Sequence, residues 1–165
     1  MERNITCESL IERYGLKRHP EGGWFRQTYQ SVEKIPLYGL PARFKEARPI
    51  STAIYYLLAS GDFSSFHRIK SDEVWHFYAG GALLIHVLHT SGSLETVILE
   101  NDLLKGEHFQ FVVPAGCWFA AEPAPGTSLS FVGCTVAPGF DFEDFEMANK
   151  EELINRYKPY AEVIE

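Results

Sequence analysis

Between Pro49 and Ala137 the chain breaks into eight short apolar runs set apart by turn residues, and that spacing limits the folds open to it. The runs lie near 50–59, 63–69, 73–79, 82–89, 94–99, 109–113, 117–122 and 128–137, and most alternate in polarity or are rich in β-branched and aromatic residues. Gly61-Asp62, Gly80-Gly81 and Ser91-Gly92-Ser93 mark tight turns, residues 101–107 a longer connection, and residues 122–126 another turn. Strands this short and this evenly spaced, with no helical stretch between them, build a β-sandwich or closed barrel rather than a parallel sheet with crossover helices.

The ends differ. Residues 7–14 read as a helix with Thr6 as N-cap, Glu8 in the first turn, Leu10, Ile11 and Tyr14 on one face, and Gly15 ending it. Pro20-Glu21-Gly22-Gly23 is a turn signal, and the alternating WFRQTYQS after it reads as a strand. Residues 32–49 hold three prolines and no period, which predicts a surface loop able to cover a pocket. Asn149 and Glu152 have capping-box spacing ahead of a helix over 150–157, which Pro159 stops. With no repeat and no linker composition, one domain over residues 1–165 is expected.

A formal charge of −7 with scattered basic residues speaks against a nucleic-acid footprint. No segment is apolar over a membrane-spanning length, and the first fifteen residues lack the apolar run of a signal peptide. Cys7, Cys117 and Cys134 are odd in number and lack Cys-x-x-Cys spacing, which fits a reducing compartment. A cytoplasmic protein with neither nucleic-acid nor membrane partners is the expectation.

Chemistry concentrates in GDFSSFHRIKSDEVWHFYAG, residues 61–80. Side chains alternate along a strand, so His67 and Ile69 share a face, and Glu73, Trp75 and Phe77 share a face of the next strand. His67 and Glu73 can then point into one interior. A carboxylate beside an imidazole either contributes to a metal site or orients the imidazole for proton transfer.

Gly61, His67, Ile69, Glu73 and Gly80 have the spacing of the first cupin motif, in which a second histidine usually stands where Ile69 does. FVVPAGCWFA resembles the second motif around Pro114-Ala115-Gly116, with Phe119 where metal-binding cupins carry histidine. The longer stretches HPEGGWFRQTY, STAIYYLL, FHRIKSDEVWHFYAG, FVVPAGCWFAA and VGCTVAPGFDFEDFEMA are similar to the cupin-5 branch, whose biochemical role is unassigned. The resemblance implies an all-β jelly-roll barrel, the cupin double-stranded β-helix, with a pocket between two sheets, a short helix at each end and a homodimer. It also implies that two of the four usual metal ligands are missing here.

Among the other candidates, Gln110 interrupts an apolar run and Arg26 lies on the early strand, where each can meet a polar ligand. Trp75 and Trp118 can line a pocket. Alternation places His76 opposite Glu73 unless a bulge intervenes, and the face of His86 depends on the Gly80-Gly81 turn. His19, ahead of the Pro-Glu-Gly-Gly turn, is expected to cap that turn or lie at the surface, and Cys134 is expected in the core. DFEDFE lacks the glycine and loop length of an EF-hand. The preferred reading is a cupin binding a small polar metabolite, sugar-like or anionic, as a metal-independent isomerase or epimerase with His67 as base oriented by Glu73. The alternatives are a divalent metal held by His67 and Glu73, or a ligand-binding module without catalysis.

Overall fold

The computed structural model describes residues 5–165. Helix α1 (Cys7–Tyr14) opens it, with the Thr6 hydroxyl accepting from the Ser9 amide and Gly15 closing the helix in the left-handed region. The strands follow as β1 (Lys17–Arg18), β2 (Trp24–Gln30), β3 (Lys34–Ile35), β4 (Arg48–Pro49), β5 (Thr52–Ala59), β6 (Ser64–Arg68), β7 (Asp72–Gly80), β8 (Leu83–Leu88), β9 (Leu94–Leu99), β10 (Gln110–Val113), β11 (Trp118–Pro123), β12 (Leu129–Ala137) and β13 (Glu146–Met147). Helices α2 (Lys150–Arg156) and α3 (Ala161–Ile164) end the chain, so a further short helix follows Pro159.

Two antiparallel sheets face each other, a six-stranded one ordered β1-β2-β5-β12-β7-β10 and a five-stranded one ordered β13-β6-β11-β8-β9. Neighbours far apart in sequence, such as β5 with β12 and β6 with β11, are the mark of a jelly roll. The strand runs predicted between residues 50 and 137 match the observed strands closely, because each inward residue alternates with an outward one. On β8 the inward set is Leu83, Ile85 and Val87, which pack with Tyr56, Trp75 and Phe119 between the sheets. The outer face of the five-stranded sheet is covered by Leu153 and Tyr157 of the C-terminal region, lying over Leu88, Trp118 and Ala120.

Residues 32–49 do not cover the pocket. They form the two-stranded β3–β4 sheet with a single 3₁₀ turn, and they end on a buried arginine, Arg48. The β6–β7 connection also differs from a simple hairpin. Its residues 69–71 carry the chain from the five-stranded sheet to the six-stranded one. His67 and Glu73 therefore approach each other across the interior, from facing sheets.

Candidate functional site

A cavity of about 170 Å³ opens at one end of the barrel. His67 on β6 and Glu73 on β7 both line it, as the alternation of their strands requires. Glu21 and His19 line it too, and the turn that carries them explains how. Gly22 and Gly23 have φ of 118° and 72°, a region open to glycine at little cost. A Cβ on Gly22 would lie 2.2 Å from the Phe63 carbonyl oxygen, so the turn is pressed flat against the start of β6. The Tyr56 hydroxyl donates to the Gly22 carbonyl at 2.7 Å, and the Ser65 amide donates to the Glu21 carbonyl at 2.9 Å. The Glu21 side chain is thereby sent into the barrel instead of solvent.

His67 is committed at both ring nitrogens. Nδ1 lies 2.7 Å from the Ser65 carbonyl oxygen and donates to it, and Nε2 lies 2.9 Å from a Glu21 carboxylate oxygen. Burial presses the His67 pKa down, but the Glu21 charge and hydrogen bond outweigh it, and the net shift is upward. Burial likewise pushes Glu21 up, and the His67 charge and hydrogen bond bring it below the ordinary carboxylate value. The pair is an imidazolium and a carboxylate. The Phe119 and Phe145 rings, 4.1 and 5.3 Å from the imidazole centroid, present π-electrons that favour the cation. His19 behaves differently: its Nδ1 accepts from the Glu21 amide at 3.2 Å and burial lowers its pKa, so it is neutral. Its 3.7 Å approach to the Glu21 carboxylate is not an ion pair.

Glu73 is the other acid. Burial raises its pKa from 4.5 to about 7, the Glu21 charge adds to the rise, and His67 and the Cys134 thiol oppose it. Among the described residues no lysine or arginine lines the cavity. Cys134 is held mainly protonated by the same burial. Phe140, Phe142 and Phe145 close one side of the cavity, on the segment between β12 and β13. Arg48 fixes that segment through a buried two-pronged pair with Asp144, at 2.7 and 2.8 Å.

Several sequence candidates stand elsewhere. Arg26 is exposed and donates to the Tyr14 carbonyl at 2.9 Å, tying β2 to the end of α1. His76 and Gln110 bond to each other at 3.0 Å on the outward face of the six-stranded sheet, where parity places them. His86 faces outward from β8 and meets Thr96 and Glu122 at 2.9 and 3.1 Å. Trp118 lies beneath the Arg68 guanidinium on the outer face of the five-stranded sheet. Trp75 is core, packed on Tyr56 and Phe119 behind the cavity. The partner of His67 is Glu21 rather than Glu73. His19 caps the turn by accepting from the Glu21 amide, as one of its two expected roles required, but its side chain turns into the cavity and away from the surface, and Cys134 is both core and cavity wall. Turn composition signalled where Glu21 and His19 sit along the chain, but their direction depends on long-range packing.

A divalent metal fits this donor set poorly. Ile69 and Phe119, both buried and apolar, occupy two of the four positions where cupin ligands are expected. Both His67 nitrogens are engaged, and no group of three or more His, Cys, Asp or Glu side chains is arranged to hold an ion among the described residues.

Two facing antiparallel sheets with a jelly-roll order and one end opened into a cavity define the cupin class. The chain belongs to it: residues 8–148 match the family model described as cupin superfamily (DUF985). An uncharacterized protein of Saccharomyces cerevisiae is 30% identical over 156 residues, covering 89% of this chain and 77% of its own length. Among solved structures, a hypothetical protein from Leishmania major is 31% identical with a TM-score of 0.87, covering 97% of each chain. Protein SO0799 from Shewanella oneidensis is 37% identical with a TM-score of 0.86, covering 98% of this chain and 96% of its own. No helix among the described residues is long and apolar enough to cross a membrane.

Proposed function

We propose that the cavity binds a small polar metabolite without net negative charge and moves a proton on it, as an isomerase or epimerase. The observation that carries this reading is the presence of two acids with different tasks in one small cavity. Glu21 is spent on holding His67 as a cation, and among the described residues no basic side chain forms an ion pair with Glu73. At neutral pH Glu73 is poised between its two forms, which suits a group that both takes and returns a proton. Its carboxylate removes a proton from the carbon beside a carbonyl, giving the carboxylic acid and an enolate. Return of that proton to the same or the neighbouring carbon restores Glu73. His67, bonded at both nitrogens and paired with Glu21, holds its place in the cavity wall and neither gives nor takes the proton. These roles reverse the sequence expectation of His67 as base, because neither imidazole nitrogen is free to accept. The absence of lysine and arginine from the lining among the described residues argues against an anionic ligand.

The test is solvent exchange. Hydroxy- and amino-substituted ketones of three to five carbons are incubated with the protein in D₂O and followed by proton NMR. At least one member should lose its carbon-bound proton signal with wild type, and Glu73→Gln should slow that loss by at least a hundredfold. Binding without exchange in wild type, or equal exchange by the variant, contradicts the reading.

A further inference from the structure

We infer that the ligand carries a cationic head, a protonated amine or methylated ammonium, seated against Phe140, Phe142 and Phe145 with Glu73 as its counter-charge. The inference rests on the cavity being the ligand site and goes further in naming the charge of what enters it.

The three rings are mutually near-perpendicular. Phe140 and Phe142 have centroids 5.0 Å apart at 79°, Phe142 and Phe145 6.0 Å at 71°, and Phe140 and Phe145 6.3 Å at 77°. Three such planes lining one cavity form the inner corner of a box. An aromatic ring is negative over its face, so a corner of this kind surrounds a bound cation with favourable potential from several directions. Edge-to-face contact is the usual preference of packed aromatic rings; what sets this corner apart is that all three rings line the cavity and that Phe142 is 54% exposed at its rim instead of sealed in the core.

The corner is built before any ligand arrives. The Phe140 amide donates to the Thr52 hydroxyl at 2.9 Å, the Gly139 amide to the Pro49 carbonyl at 2.7 Å, and Asp144 is gripped by Arg48. Preorganisation of this kind reduces the ordering cost of binding. The charges point the same way. Glu21 and His67 cancel as a pair, His19 is neutral, and among the described residues no lysine or arginine lines the cavity. Glu73 is left as the acid able to balance an incoming positive charge.

The test compares isosteres by calorimetry on the full-length protein: choline, its neutral carbon analogue 3,3-dimethylbutan-1-ol, and the anion 3,3-dimethylbutanoate. Choline should bind at least tenfold more tightly than the neutral analogue, about 1.4 kcal/mol, and the anion should not bind measurably. Phe142→Leu keeps the exposed rim apolar and should reduce the choline preference to threefold or less. Equal binding of choline and the alcohol overturns the cation inference, as does an unaltered preference in Phe142→Leu. If all three isosteres fail while a neutral hydroxyketone binds and exchanges, the cationic head is wrong and the proton-transfer reading stands. If nothing binds, both are wrong.

Discussion

Glu73 is a buried acid in the cavity wall, and its protonation ties chemistry to stability. Its folded pKa of about 7 lies above the ordinary 4.5, so the folded chain keeps a proton that the unfolded chain releases between those two values. Stability therefore falls as pH rises from about 4.5 to about 7, and a shift of this size corresponds to roughly 3 kcal/mol. Glu21 and His67 act in other windows. The contribution of Glu21, depressed by its partner, is lost as pH falls below the ordinary carboxylate range, and that of His67, raised by its partner, is lost as pH climbs above 6.5. Glu73→Gln should be more stable than wild type by an amount that is near zero below pH 4.5, grows to about 2–3 kcal/mol by pH 7.5 and then levels. Urea denaturation across that range measures it. A stability difference independent of pH contradicts a raised Glu73.

At the scale of elements, the turn ahead of β2 matters as much as the strands. Gly22 takes a φ of 118° with the Phe63 carbonyl in the space a side chain would need. Gly22→Ala should cost about 2–3 kcal/mol through backbone strain and displacement of the turn from β6. The same change should suppress proton exchange in the folded fraction, because Glu21 moves with the turn. Unaltered stability in chemical denaturation contradicts the close packing. What the sequence concealed belongs to this scale. The strands over 50–137 were legible because period-two alternation and turn residues are local signals. His67 and Glu73 were legible from strand parity and motif spacing. Pro20-Glu21-Gly22-Gly23 has the composition of a surface turn, and only its packing on β6, some forty residues away, sends Glu21 and His19 inward. Phe142 and Phe145 were hidden among the acids of DFEDFE, with Phe140 just ahead of it, and there Asp144 finds Arg48 across nearly a hundred residues. Arg26, His76, His86, Gln110 and Trp118 are attractive residue types on outward faces, and residue type alone does not reveal the face.

At the scale of the molecule, the site exists because the two sheets close on each other. Glu73 comes from the six-stranded sheet, His67 from the five-stranded sheet and Glu21 from the turn between α1 and β2, so no segment holds the arrangement alone. Two acids in one cavity should consequently titrate apart in the folded protein and together in the unfolded one. The measurement is a carboxyl-carbon NMR titration of protein labelled with ¹³C at glutamate, assigned with Glu21→Gln and Glu73→Gln, in buffer and in urea. In buffer, the Glu73 signal should titrate near pH 7 while Glu21 stays ionised to below its ordinary range; in urea both should titrate near 4.5. A folded-state Glu73 midpoint near 4.5, or a Glu21 signal that titrates near 7 in its place, contradicts the division of labour proposed for the two acids.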